Sequence, residues 1–142
     1  WAYGHGARHV LIAHADLPAI APRAVQAFID PLPEAGTLRL AASKEGTGTN
    51  MLLSSVPLPV PLQFGKDSLS KFEAAARSRG VALEIHRDPL LAADIDELAD
   101  LRELVRAGIG GESRNKATAS WLSTMEATES PPRAAKHTRS IG

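Results

Sequence analysis

The alternation of helical and extended patterns along residues 1–109 is the feature that most limits the fold of this chain. Residues 10–15 form a short apolar run that stops at an Asp-Leu-Pro turn, as expected of a strand buried in a parallel sheet. Further strands are predicted over 37–42, 51–56 and 81–85, and helices over 22–29, from 67 or 68 to about 79, and over 97–107. Glycines and prolines separate these segments. The pattern predicts an α/β layered fold.

Composition excludes several classes of function. Sixteen Lys+Arg against sixteen Asp+Glu leave a formal net charge of zero, whereas binding to a nucleic-acid backbone needs a basic excess. The absence of cysteine excludes disulfide scaffolds, thiol catalysis and Cys-ligated zinc. No apolar run approaches the roughly 20 residues that a membrane helix needs. These features are typical of a cytoplasmic protein with an aliphatic core, since aromatic residues make up only 4%.

The two ends of the chain differ from its middle. Beyond Gly110 the sequence is dominated by Ser, Thr, Ala, Pro and charged residues, which cannot bury enough surface to offset the entropy of ordering. We therefore expect a globular unit over 1–109 and a disordered tail over 110–142, with a short helix around Trp121. The start, Trp1-Ala2-Tyr3, is neither an initiator Met nor a signal peptide. We expect the chain to be part of a longer protein.

Three carboxylates follow predicted strands, where open α/β sheets bind their ligands. Asp16 follows the first strand within His-Ala-Asp-Leu-Pro, while Asp94 and Asp96 precede the last helix. Two carboxylates separated by one residue can point at one cation when the backbone is extended. The alternative is that Asp16 starts a turn and that Asp96 caps the helix, which requires no metal.

Two segments have the residue types that bind phosphate. Gly-Thr-Gly-Thr-Asn at 46–50 offers small residues, which let backbone N–H groups approach an anion, and two hydroxyls. Phe-Gly-Lys-Asp-Ser at 64–68 leads into a helix N-terminus, where the dipole favours an anion. A glycine-rich hairpin turn and an ordinary helix cap by Asp67 or Ser68 are the alternative interpretations.

Four motifs in this order resemble one family. They are His-Ala-Asp-Leu-Pro at 14–18, Gly-Thr-Gly-Thr-Asn at 46–50, Phe-Gly-x-x-Ser at 64–68 and Asp-Ile-Asp-x-x-x-Asp-Leu at 94–101. The chain resembles, over nearly all of 1–107, the guanylyltransferases of F-420 deazaflavin coenzyme biosynthesis. These act on 2-phospho-L-lactate or a relative such as phosphoenolpyruvate or 3-phosphoglycerate. The resemblance implies a three-layer α/β/α domain of the nucleotide-diphospho-sugar transferase (GT-A) type, with a mostly parallel sheet.

The resemblance also implies an activity and a site. Family members join GTP to a phosphorylated three-carbon acid and release pyrophosphate. By this resemblance Asp16, Asp94 and Asp96 hold Mg²⁺, and the acceptor phosphate is bound by three further residues: Thr49, Gly65 and Ser68. No catalytic side chain beyond the metal ligands is expected, since positioning and charge screening suffice for such a transfer. The expected partners are GTP and the acid, without nucleic acid or membrane; a homodimer stays open.

The chain departs from the family pattern in three places. Ser43-Lys44 stands where relatives have Asp-Arg, so the bidentate phosphate contact of arginine is lost. Glu97-Leu98 replaces Thr-Pro after the acidic pair. The Lys-rich nucleotide loop at the start of relatives is absent, so we expect a domain incomplete at its N-terminus and inactive alone. The alternatives are another nucleotidyltransferase of the same fold, of the molybdopterin or sugar-nucleotide type, and a non-catalytic interaction domain.

Overall fold

The structure is a computed structural model that describes residues 3–108 and 120–124. After a 3-10 helix at Tyr3–His5, the strands are β1 His9–Ala13, β2 Thr37–Ala42, β3 Thr49–Ser55 and β4 Ala82–His86. The helices are α1 Pro22–Ile29, α2 Ser68–Arg79, α3 Pro89–Ala92 and α4 Leu98–Arg106. All predicted strands and helices are confirmed, and the short helix α3 was not predicted.

The predicted tail over 110–142 falls outside the described residues except for 120–124. That range is helical, which confirms the predicted helix around Trp121. In the part of the chain that the structure describes, no helix combines the length and the apolar character needed to cross a membrane.

The four strands form a mixed sheet in the order β1-β3-β2-β4. Only β2 and β4 pair in parallel, while β3 is antiparallel to both β1 and β2. The predicted mostly parallel sheet is therefore wrong for the described residues. The reason is the length of the connections: the short turn between β2 and β3 allows only a hairpin, whereas β2 reaches its parallel partner β4 through a crossover that contains α2.

The sequence predicted that the first strand is buried within a parallel sheet, and this prediction is wrong for the described residues. Among the described residues β1 lies at the edge of the sheet and pairs antiparallel with β3. Its residues are half-buried or exposed, and Leu11 is 38% exposed. An apolar run of this length suits an edge strand as well as a central one, so its composition does not fix its position.

Two hydrophobic clusters cover the two faces of the sheet. On one face, Phe28 of α1 and Leu91 of α3 pack against Met51 of β3. On the other face, Phe72 of α2 packs against Leu40 and its neighbours. In this sheet the carboxyl ends of β1, β2 and β4 lie beside the start of β3. The segments that connect strands and helices meet at this end of the strands.

Candidate functional site

The connecting segments at this end of the strands enclose a cavity of about 460 Å³. The residues that the sequence singled out come from four separate segments, and all of them line it: Asp16, Thr49, Gly65, Ser68, Asp94 and Asp96. The cavity is also lined by residues that sequence reasoning did not assign to the site, among them His14, Glu45, Asn50 and Lys66.

Thr49 has an unpaired hydroxyl at this cavity. The residue is only 2% exposed, and its Oγ1 has no hydrogen-bond partner among the described residues. A buried polar group left without a partner costs about 1–3 kcal/mol, and native proteins rarely contain one without a reason. Because Thr49 lines the cavity, a hydrogen-bonding ligand group bound there would supply the missing partner.

The turn between β2 and β3 does not form the open cradle of N–H groups that the Gly-Thr-Gly-Thr pattern allowed. The N–H of Gly48 donates to Ser43 Oγ at 3.0 Å, and that of Gly46 donates to the Ser43 carbonyl at 3.0 Å. A Cβ at Gly48 would lie 2.9 Å from Ser43 Oγ, so a larger residue there would have to displace the hydroxyl that accepts the Gly48 N–H. These glycines therefore close a hairpin turn. Thr47 and Thr49 of this segment both line the cavity, and Thr49 has the buried hydroxyl without a partner.

The segment 64–68 turns sharply into α2 along the cavity wall. Gly65 has φ 103° and Asp67 has φ 54°, both in the left-handed region, which is costly for Asp67 because it carries a side chain. Asp67 occupies the predicted cap position, but its side chain makes no capping hydrogen bond. The ring of Phe64 packs on Phe72, with centroids 5.5 Å apart, and on His14 at 5.1 Å, so this segment is held against the end of β1.

Backbone hydrogen bonds join the two acidic segments. The N–H of Ile95 donates to the Asp16 carbonyl at 3.2 Å. The alternative interpretation, in which Asp96 caps α4, is wrong. Glu97 holds the cap position, and Asp100 Oδ2 accepts from the N–H groups of Asp96 at 3.2 Å and Glu97 at 2.8 Å. The Asp96 carboxylate is therefore not used in capping the helix and lines the cavity.

Negative charge dominates the cavity wall. Partial burial raises the pKa of Asp94 above its ordinary value of 3.8, against a backbone hydrogen bond that lowers it, and repulsion from Glu45, Asp96 and Asp16 raises it further. Lys66 is the lysine of this lining, which contains no arginine among the described residues. An anionic ligand therefore requires additional positive charge in order to bind here.

The donor set fits a hard cation such as Mg²⁺. Carboxylate oxygens are its preferred protein ligands, and Mg²⁺ commonly uses only one or two of them together with water and substrate phosphate. In residues 3–108 and 120–124, no group of three or more Asp, Glu or His side chains is arranged to hold a metal ion. Asp16, Asp94 and Asp96 thus line one cavity without converging as a set of ligands.

Lys44, for which the family resemblance predicts an arginine, does not line this cavity. Its ammonium forms an ion pair with the Glu103 carboxylate on α4, and this hydrogen bond raises the pKa of Lys44. Lys44 instead borders a second cavity of about 250 Å³ beside α4. The departure from arginine thus coincides with a side chain that lies against α4 and not along the cavity lined by Thr49 and Ser68.

Comparison with known proteins identifies relatives of the chain. Residues 4–140 match the protein family described as guanylyl transferase CofC like. The chain is 40% identical over 114 residues to a phosphoenolpyruvate guanylyltransferase of Sphaerobacter thermophilus, which covers 80% of this chain and 55% of that relative. It is 36% identical over 102 residues to the enzyme of the same name from Chloroflexus aggregans, with 72% of this chain and 50% of the relative covered.

A third relative gives the same result. The phosphoenolpyruvate guanylyltransferase of Rubrobacter xylanophilus is 34% identical over 103 residues, covering 72% of this chain and 50% of the relative. The chain thus spans about half the length of the curated relatives it matches.

Proposed function

The chain belongs to the CofC-like guanylyl transferase family, and from that premise we propose that it forms the acceptor- and metal-binding part of a GTP-dependent guanylyltransferase. The enzyme would join GMP to a phosphorylated three-carbon acid and release pyrophosphate, as a step of F-420 coenzyme biosynthesis. The names of the relatives favour phosphoenolpyruvate over 2-phospho-L-lactate as the acid. Helices on both faces of the sheet support a three-layer domain of the GT-A type.

The acceptor phosphate is proposed to bind between β3 and α2. The observation that carries this assignment is the buried, unpaired hydroxyl of Thr49, because this hydroxyl could donate a hydrogen bond to a phosphate oxygen. Ser68 at the first turn of α2 and the backbone at Gly65 line the same cavity, and a helix N-terminus adds a favourable dipole. The Lys66 ammonium at the rim is placed to offset part of the ligand charge.

The acidic side chains Asp16, Asp94 and Asp96 are proposed to hold Mg²⁺, which when bound screens phosphate charge and stabilises the leaving pyrophosphate. An oxygen of the acceptor phosphate attacks the α-phosphorus of GTP, a new P–O bond forms, and the bond to pyrophosphate breaks. The attacking phosphate is already ionised at neutral pH, so no protein base has to remove a proton. The residues of the chain bind and orient the acid, which is the main protein contribution to such a transfer.

Replacing Asp94 by asparagine tests this proposal. We expect calorimetric titration of phosphoenolpyruvate into the parent chain to show binding with Mg²⁺ present and none with a chelator. Asp94→Asn should weaken Mg²⁺-dependent binding at least about tenfold, since the loss of one charge-assisted contact corresponds to about 1.5–3 kcal/mol. Asp30→Asn, which changes an exposed carboxylate outside this cavity, should bind like the parent. Equal binding by Asp94→Asn and the parent would contradict the assignment.

Asp94→Asn should weaken ligand binding but stabilise the fold when no divalent cation is present. A carboxyl whose pKa is raised in the folded state is stabilising below its unfolded pKa, and that contribution is lost as the pH rises through the folded pKa. Without a divalent cation, Asp94→Asn should therefore raise the thermal unfolding midpoint at pH 7 and have less effect near pH 3.5. A variant destabilised at pH 7 without the cation would contradict the charge repulsion inferred for this cavity.

A further inference from the structure

Asn50, which follows Thr49 in β3, is a second fully buried polar residue at the cavity. It is 2% exposed, and its side-chain nitrogen donates to the carbonyls of Leu91 and Ala92, both at 3.1 Å. These are the last carbonyls of α3, which a helix leaves without intrahelical donors. Both hydrogens of the amide therefore hold the end of α3.

A β-bulge directs the Asn50 side chain to this position. In the pairing with β2, Ala41 lies opposite Met51 but Ala42 lies opposite Thr49, so Asn50 is the extra residue. Strict alternation would place Asn50 on the same face as Leu52, which α2 covers. Its amide instead reaches α3, which packs on the opposite face. Bulges next to ligand sites commonly redirect a side chain in this way.

The end of α3 leads directly into the acidic pair. Ala93 is extended and is followed by Asp94. The N–H of Lys44 also donates to the Ala92 carbonyl, at 3.0 Å. Asn50 also contacts the segment that follows β1. Its carbonyl accepts from the N–H of His14 at 2.9 Å, and His14 leads to Asp16. One residue thus contacts the segments that carry both groups of carboxylates, and its neighbour carries the unpaired hydroxyl.

We propose that Asn50 is a positioning residue that fixes the acidic segments relative to the Thr49 hydroxyl, so that cation and phosphorylated acid bind in one cavity. The inference rests on the proposed function. Asn50 touches neither ligand and acts through Asp94 and Asp16. A primary amide is the side chain of this length that gives two donors in one plane. Aspartate would accept only, and leucine of similar size would remove the Asn50 donor from the Leu91 carbonyl and leave the Ala92 carbonyl with the Lys44 N–H alone.

The test measures Mn²⁺ and phosphoenolpyruvate affinity in three variants of the chain. Asn50→Leu removes both hydrogen bonds at nearly constant volume, and Asn50→Ser keeps a single, shorter donor in case the leucine variant does not fold. Ser54→Ala is the matched control: Ser54 is a buried polar residue of the same strand, and its hydroxyl donates to the Thr37 carbonyl at 3.1 Å, away from the cavity. Mn²⁺ affinity is read by electron paramagnetic resonance, acid affinity by calorimetry, and folding by the thermal midpoint.

The expected result separates positioning from general stability. The Asn50 variants should bind Mn²⁺ at least tenfold more weakly than the parent, and phosphoenolpyruvate in the presence of Mn²⁺ likewise. Ser54→Ala should lower the thermal midpoint without changing the Mn²⁺ affinity. A folded Asn50 variant with parental Mn²⁺ affinity would overturn the positioning role while leaving the proposed function intact. A parent chain that binds no Mn²⁺ would contradict the proposed function itself.

Discussion

Replacing Thr49 by valine should weaken phosphoenolpyruvate binding by roughly 10- to 100-fold and leave the fold at least as stable as before. The side chains have the same shape, so the change removes the hydroxyl and creates little cavity. A hydrogen bond to a charged ligand contributes about 1.5–3 kcal/mol, which sets the expected loss of affinity. Because Thr49 Oγ1 is buried without a partner, its removal should raise the free energy of unfolding by about 1 kcal/mol. Calorimetry and urea unfolding measure the two quantities.

A control with a paired hydroxyl distinguishes this prediction from a general effect of polar burial. The Ser54 hydroxyl donates to the Thr37 carbonyl, so Ser54→Ala should lower the free energy of unfolding by about 1 kcal/mol and leave the affinity for the acid unchanged. The two variants should therefore change the free energy of unfolding in opposite directions, and only Thr49→Val should change the affinity for the acid. If Thr49→Val bound the acid like the parent, the hydroxyl would not be a ligand and the phosphate would have to bind elsewhere.

The largest loss of stability is expected from Arg39→Met. Arg39 lies within β2 with its side chain only 10% exposed; its Nε donates to Glu84 Oε2 at 2.6 Å, and its Nη1 donates to the Phe28 and Pro31 carbonyls at 2.8 and 2.7 Å. The guanidinium thus ties β4 and the end of α1 to the centre of the sheet. Removing it leaves two carbonyls and a carboxylate without their donor, which should cost about 3 kcal/mol in urea unfolding.

The partner carboxylate gives the matched comparison for Arg39. Glu84 is 48% exposed, so water solvates it when the ion pair is broken, and Glu84→Gln should cost less than about 1 kcal/mol. Equal losses for the two variants would mean that the ion pair, rather than the two carbonyl contacts, carries the stabilisation. The affinity for phosphoenolpyruvate should change in neither folded variant, because Arg39 and Glu84 lie outside the cavity that Thr49 lines.

Local signals predicted the segments that line the cavity, and the family resemblance supplied the individual residues. Asp16, Thr49 and Ser68 follow or begin regular elements, and their segments carry recognisable patterns of acids, glycines and hydroxyls. Once strands and helices alternate, the ends of the elements meet at one edge of a sheet, and these residues line one cavity as a consequence. The roles assigned to them as metal and phosphate ligands stay predictions.

Features that depend on pairing between distant segments could not be predicted in this way. The edge position of β1 follows from its pairing with β3, and composition does not reveal it. The antiparallel hairpin of β2 and β3 follows from a short connection, and the expectation of a mostly parallel sheet came from resemblance rather than from that length. The role of Asn50 requires a β-bulge and a contact with α3, a helix of four residues that no periodicity can indicate.

The charge repulsion between Asp94 and Glu45 could not be predicted from the sequence either. Glu45 lies in the turn after β2, far along the chain from Asp94, yet it contributes to raising the Asp94 pKa. Only the folding of that turn against the acidic segment brings the two carboxylates together. A count of charges in the sequence gives a neutral chain, whereas the cavity wall is strongly acidic.

We expect one cavity to hold both a divalent cation and the phosphate of the acceptor. A crystal structure of the chain with Mn²⁺ and phosphoenolpyruvate, solved with anomalous data at the manganese edge, would show both ligands at once. An anomalous peak is expected among the carboxylates of Asp16, Asp94 and Asp96, with a phosphate oxygen within hydrogen-bond distance of Thr49 Oγ1. Manganese or phosphate bound only elsewhere on the chain, with the Thr49 hydroxyl still unpaired, would contradict it.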